Sequence, residues 1–249
     1  MENEILPVSP GEKFCFACTP DVPCFNECCR DLNQFLTPYD IICLKNYLNM
    51  PSGAFLDKYT TQYTGPETGL PVISLKMNPD DGLKCPFVTD KGCGVYDARP
   101  SSCRTYPLAR LASRSRETGR ISEQYALIKE PHCLGGQTEK QQTTAEWVKE
   151  QGIAVYNEMN DMFMEIIALK NRLHPAPLDI KERHIFRLGC YDMDNFRQQI
   201  TENRLLNDMN IDSKVIEAAK TDDTALFKLG FQWVKYAVFG ENPPAPQNT

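Results

Sequence analysis

The chain has 249 residues, 41% hydrophobic and 24% charged, enough apolar material for one large or two small globular domains without covalent staples. A formal net charge of -6 and a pI near 5.2 argue against a general nucleic-acid binder. No apolar run approaches the roughly 18 residues a membrane helix needs, and the acidic start MENEILPVSPGEKF lacks the apolar core of a secretory signal, so a cytoplasmic protein without a membrane partner is expected.

In chain order, residues 1–13 read as a loose lead-in and 14–36 as a cysteine-bearing loop broken by Pro20 and Pro23. Thr37-Pro38-Tyr39-Asp40 is a helix start, with a Thr cap, proline at the first helical position and an acid at the third. That helix is predicted to reach about Asn49, with Ile41, Leu44, Tyr47 and Leu48 as its apolar stripe; Ser52 opens a second one through about Tyr59. Pro71 to Met77 alternates and is rich in β-branched residues, a strand pattern. Arg104–Leu111 and Glu123–Lys129 read as two further strands joined by a charged hairpin tip, SRSRETGR. From Thr143 the chain turns helical. Thr143 and Glu146 fit a capping box, and Trp147, Val148, Val155, Met159, Met162, Phe163, Ile166 and Ile167 step by three and four toward about Leu173. Shorter helices are predicted over 181–189, 193–207 and 213–220, a last one opens at Asp222-Asp223, and the tail 241–249 reads as disordered.

Eleven cysteines in a chain expected to meet a reducing cytosol need a reason other than disulfides, and metal or redox chemistry is the better one. Cys43 and Cys190 sit in helix-like segments. Eight others are grouped: Cys18, Cys24, Cys28 and Cys29 in the first loop, then Cys85, Cys93 and Cys103 in CPFVTDKGCGVYDARPSSCRTYP, then Cys133 in EPHCLGG. The glycines and prolines around them suit tight turns that aim several thiols at one point. Thiolate is a soft ligand that fits zinc and iron–sulfur centres. Four suffice for one tetrahedral site, and eight serve two sites or one binuclear site. Cys15 and His132 remain unassigned. Arg30, Arg99 and Arg104 stand near cysteines and could offset thiolate charge. Arg99 and Tyr106 read as groups that hydrogen-bond the cysteine loop, with Tyr96 and Arg99 lining a pocket as the alternative. Asp192 and Asp194 read as a helix cap near Phe196, and His174 and His184 as surface residues.

The run C-x5-C-x3-C-C, then LTPYD, CPF and GC-x-VY-x-x-RP-x-x-CR-x-YP, resembles the YkgJ-type cysteine-cluster family, a zinc- or iron-chelating domain named for its C-x-x-C-x-x-C-C signature. The resemblance covers about residues 14 to 135. The first group departs from the usual spacing, with five residues between Cys18 and Cys24 and three between Cys24 and Cys28. The same domain is similar to part of the enzymes that methylate flagellin lysines, for which an iron–sulfur cluster has been proposed. No glycine loop for S-adenosylmethionine and no C-x3-C-x2-C motif accompanies it here.

The expected fold is α+β and mostly helical: a cysteine-cluster domain over 14–140 with a few antiparallel strands, and a helical region over 141–240. The expected function is binding of zinc, or of iron as an ion or an iron–sulfur cluster, through Cys18, Cys24, Cys28, Cys29, Cys85, Cys93, Cys103 and Cys133. Beyond that, a structural module whose C-terminal helices contact a protein partner, an iron–sulfur enzyme of redox or group-transfer chemistry, and a metal chaperone or sensor all stay open.

Overall fold

The computed structural model describes residues 3–66, 68–115, 117–202 and 205–241. Most of the tail expected to be disordered, and one residue of the hairpin tip, lie outside them. The strands are β1 (Glu4–Val8), β2 (Lys13–Cys15), β3 (Thr60–Thr64), β4 (Pro71–Leu75), β5 (Val88–Thr89), β6 (Gly92–Cys93), β7 (Leu108–Arg114), β8 (Ile121–Lys129) and β9 (Gln141–Thr143). The helices are α1 (Pro38–Tyr47), α2 (Ser52–Tyr59), α3 (Ser101–Thr105), α4 (Thr144–Glu150), α5 (Ile153–Leu173), α6 (Ile180–Cys190), α7 (Met193–Glu202), α8 (Ser213–Ala219) and α9 (Asp223–Phe239). The fold is α+β and mostly helical, with small antiparallel sheets. No helix among the described residues is long and apolar enough to cross a membrane.

Several starts and stops follow from local chemistry. Thr37 accepts the Asp40 amide while Asp40 accepts the Thr37 amide, a reciprocal cap ahead of Pro38. Thr143 and Glu146 make the same box for α4, and Asp179 and Glu182 for α6. The predicted long helix from Thr143 is broken into α4 and α5, because Gly152 takes a left-handed backbone (φ +62) after Gln151. The lead-in is not loose: it contains β1, which adds to β8, and at Lys13 it enters β2, which runs into the predicted loop and pairs with β9. Arg104 belongs to α3 and not to a strand; pairing begins at Leu108, beyond Pro107, which has no amide to donate. Tyr47 and Val155, read as apolar-stripe positions, are exposed.

The chain divides into two units, residues 1–34 with 77–157, and residues 35–76 with 158–249. In the first, the sheet β1-β8-β7 places Leu6 and Leu108 on either side of Leu127. Phe14, Phe16, Leu108, Trp147 and Ile153 form its core. Trp147 meets Phe14 and Phe16 edge-on, and its indole donates to the Thr105 carbonyl at 3.0 Å, so its one polar atom is satisfied inside.

In the second unit, the hairpin β3-β4 and the helices α1 and α2 stand with the C-terminal helices. Phe186, Phe196, Phe227 and Phe231 are almost fully buried. Helices α6 and α9 cross where Gly189 faces Gly230. A Cβ at Gly189 would lie 2.5 Å from Val234 Cγ2 and 2.9 Å from Trp233 Cε3, and one at Gly230 would collide with the Gly189 carbonyl. A buried polar knot holds the earlier helices to the later ones. Lys45, 5% exposed, reaches Asp194 at 3.2 Å and Asp223 at 3.6 Å. Ser52 Oγ donates to Asp192 at 2.8 Å, and the Ser52 amide donates to Asp194 at 2.7 Å. These two carboxylates, read from sequence as a helix cap, therefore pin α2 to α7.

Asp223 also accepts from Asn46 at 2.6 Å and pairs with Arg197. Burial raises its pKa, but the Asn46 hydrogen bond and the Lys45 and Arg197 charges outweigh burial and hold the carboxyl below its usual range. Its unfolded form binds a proton more readily, so the stabilisation is complete above about pH 3.9 and is lost as pH falls through the lower folded value. Urea midpoints taken from pH 5 downward are expected to fall more steeply for the parent chain than for Asp223→Asn. Parallel slopes would remove Asp223 from the acid response.

Candidate metal centre

The eight candidate thiols come from three stretches of the first unit, and backbone contacts bring those stretches together. The first loop leaves β2 through Phe16, whose amide donates to the Lys140 carbonyl at 3.1 Å and whose carbonyl accepts from Gln142 at 2.9 Å. The Ala17 amide then donates to the Gly135 carbonyl at 3.1 Å. A Cβ at Gly135 would lie 2.6 Å from the Phe16 ring, so only glycine allows this approach between the Cys18 and Cys133 segments. Further on, single turns carry the chain past Cys24 to a short 3-10 turn over Glu27–Cys29, entered through Asn26 in a left-handed conformation (φ 71). The Asn26 side chain donates to the Thr89 carbonyl at 3.0 Å, and the Phe25 ring lies over Gly92 of the hairpin β5-β6. The Cys85 amide donates to the Cys29 carbonyl at 2.8 Å.

Sulfur atoms also take part. The Leu134 amide donates to Cys24 Sγ at 3.1 Å, and the Cys103 thiol donates to Gln34 Oε1 at 3.3 Å. Cys28 and Cys29 hydrogen-bond to each other through their side chains; this bond favours the Cys28 thiolate, brought down to about 7, and pushes the Cys29 thiol up. Cys18 is exposed as a residue, yet its sulfur is crowded. That crowding, followed by the charges of Cys28, Cys24 and Cys133, raises it to about 11. Burial raises Cys85 and Cys93 as well, with Cys93 and Cys28 acting on the first and Cys28 on the second. None of the eleven cysteines is in a disulfide. The eight are thus electrostatic neighbours, although among the described residues no three His, Cys, Asp or Glu side chains stand as a ready-formed ligand set.

The arginines divide their work. Arg99 lies over the Tyr96 ring at 3.8 Å, donates to the Tyr96 carbonyl at 2.5 Å and to Gln151, and its charge lowers Cys93. Arg104 is a strut: it donates to the Asp97 carbonyl at 2.6 Å and the Gln151 carbonyl at 2.7 Å, and its guanidinium faces the Tyr156 ring at 4.6 Å. Arg30 makes a surface pair with Glu27 at 3.8 Å. The buried Tyr106 hydroxyl has no hydrogen-bond partner of good geometry, and it faces Cys133 and Glu130. A thiolate at Cys133 would give it an acceptor, which is what a bound cation promotes. Soft sulfur donors and this orphaned hydroxyl both suit a thiolate-bound zinc or iron.

Cys15 lies in β2 opposite Gln141, while Cys43 and Cys190 lie in α1 and α6 of the other unit. His132 is half-exposed and turns toward Glu130 at 3.6 Å. Sequence reading missed Gln34, Asn26 and Glu130. Glu130 bears on Cys28 and Tyr106, and its place three residues before Cys133 was the one available hint. Gln34 carries no hint at all, being far in sequence from Cys103.

No curated protein and no solved structure matches the chain. The stretch that gathers the thiols is the stretch with a known counterpart: residues 17–134 match the model of the CxxCxxCC family, described as a "putative zinc- or iron-chelating domain".

Proposed function

We propose that the first unit chelates zinc or iron, the iron as an ion or within an iron–sulfur centre, through Cys18, Cys24, Cys28, Cys29, Cys85, Cys93, Cys103 and Cys133. The observation that carries this reading is the gathering of these eight thiols, none of them in a disulfide, from distant parts of the chain into one electrostatic neighbourhood. Ionising several of these thiols together is costly unless a cation offsets the repulsion of the thiolates. The metal would then draw the neighbours the last distance into a ligand set, in the manner of small domains whose metal and fold form together. A reducing compartment keeps such thiols available.

A second reading has support in one place. Cys18 and Cys103 are exposed, and the Tyr96 ring beside Arg99 and Cys93 is 55% exposed, so a small molecule has access to that side of the cluster. Redox or group-transfer chemistry at an iron–sulfur centre would use that access.

Anaerobic purification followed by an optical spectrum and metal analysis of one sample tests both. A colourless protein with zinc supports the structural site. A brown protein with iron and acid-labile sulfide supports the cluster. Free thiols with neither metal would overturn the proposal.

A further inference from the structure

The hairpin β3-β4 is covered along one edge and open along the other. Beyond β4, the Leu36 amide donates to the Ile73 carbonyl at 2.9 Å, and Phe35 bridges to Ser74. Beyond β3, no strand pairs among the described residues. The Lys76 amide donates to the Tyr59 carbonyl at 2.8 Å, and the Gly65 amide to the Leu70 carbonyl at 2.9 Å. Bonded and non-bonded pairs alternate in an antiparallel ladder. Thr61 and Tyr63 therefore bond across to β4, while Gln62 and Thr64 turn their amides and carbonyls outward. Both residues are exposed, and β3 has no proline and no charged residue to blunt that edge. Helix α6 runs beside it. At the hairpin turn the Leu178 amide donates to the Gly69 carbonyl at 3.5 Å, and at the other end Arg187 reaches Asp57 at 3.8 Å. Between the two elements lies a groove lined by Gln62 and Thr64 and by Ile180, Arg183, His184 and Arg187. Arg183 makes no ion pair among the described residues. Asp57, at the end of the groove, is 83% exposed, so its hold on Arg187 is weak.

We propose that the β3 edge and α6 together dock an extended acidic segment of a partner protein, which adds as a strand to β3 and sets its carboxylates against Arg183 and Arg187. Strand addition takes its affinity from main-chain hydrogen bonds and its selectivity from alternate side chains. The spacing fits that division. Residues four apart on a helix are about 6 Å apart along its axis, and residues two apart on one face of a strand are about 6.6 Å apart. Alternate acids of the added strand therefore meet successive arginines of α6. Ile180, 80% exposed, gives the same strand an apolar contact at its end. A second copy is a poorer occupant, because β3 joined to β3 would bring the arginines of both copies to one seam. Both elements belong to the second unit, so this surface stands apart from metal chelation.

Fluorescence anisotropy on the full chain tests this with a labelled peptide of about eight residues alternating glutamate with valine, and with its lysine-for-glutamate counterpart. The acidic peptide is expected to bind, more weakly as salt rises, and the lysine peptide is not. Arg183→Gln combined with Arg187→Gln should weaken binding about 10-fold. Gln62→Pro removes an outward amide and no bond to β4, so it too should weaken binding about 10-fold. Gln62→Ala keeps that amide and should bind as the parent does. Circular dichroism checks folding. Where Gln62→Pro does not fold, amide exchange of the parent chain replaces it: the peptide should slow the Gln62 and Thr64 amides and leave those of Thr61 and Tyr63 as they were. No binding of the acidic peptide at about 1 mM, or equal binding of the lysine peptide, overturns the proposal. Binding indifferent to Gln62→Pro, or without slowing at Gln62 and Thr64, overturns it as well. So does a parent chain that sediments as a dimer and becomes monomeric on Gln62→Pro, which would seat a second copy on this edge.

Discussion

Gly230→Ala is expected to destabilise the second unit by about 3 kcal/mol, the upper end of what overpacking costs. Helix propensity alone points the other way, since alanine is better than glycine inside a helix by about 1 kcal/mol. The steric term wins because the obstacle is the Gly189 carbonyl of α6, a backbone atom that cannot rotate aside. Relief requires α6 and α9 to separate, and separation loosens Trp233 and Val234 at the same crossing. Gly53 in α2 is the internal comparison. A Cβ there would meet Asn195 Nδ2 and Asp192 Oδ1 at 3.5 Å, ordinary contact distance, so Gly53→Ala should be neutral or stabilising by up to about 1 kcal/mol. Urea unfolding with an unchanged slope measures both. Equal midpoints for Gly230→Ala and the parent would show that the two helices are not locked at this point.

Withdrawal of metal should release the cysteine loops and spare the C-terminal helices. Regular structure within residues 17–34 and 77–107 amounts to three-residue 3-10 turns at Glu27–Cys29, Pro79–Asp81 and Tyr96–Ala98, the two-residue strands β5 and β6, and the five-residue α3. Such pieces close few backbone hydrogen bonds each and hold poorly by themselves. A structural zinc supplies on the order of 10 kcal/mol to a small domain, far more than these turns can supply. Treatment with a strong zinc and iron chelator is therefore expected to speed amide hydrogen exchange over 18–33 and 84–103 by about 100-fold or more. Amides of α6 and α9, protected by the aromatic core around Phe186 and Phe231, should exchange as before. Unchanged protection in the loops would mean that the metal does not hold them. Equal acceleration everywhere would mean that it holds the whole chain.

What could be read from the residues alone was mostly what neighbours in sequence decide. Thr37 with Asp40, and Thr143 with Glu146, form the boxes their spacing suggests. The helical, mixed character of the chain and the family resemblance were legible because both lie in short patterns. Partnerships across the chain were not. Strand β1 contains a proline and has five residues; it exists because Leu6 has Leu127 to pair with, more than a hundred residues away. Lys45 reads as an ordinary surface lysine of a helix, and only folding reveals Asp194 and Asp223 around it. The gathering of thiols likewise depends on close approaches at Gly135 and Gly92 that spacing does not encode.

The interleaving of the chain has a consequence for synthesis. Residues 35–76 leave the ribosome before the whole of 77–157, yet their packing partners are α6, α7 and α9. Until those helices emerge, Leu44, Phe55 and Ile73 lack the core that covers them, and Lys45 lacks both of its carboxylates. The nascent chain must therefore carry an unfinished apolar hairpin through the time in which its cysteine loops are already complete. A fragment cut to the cysteine-bearing residues would carry that unfinished piece permanently.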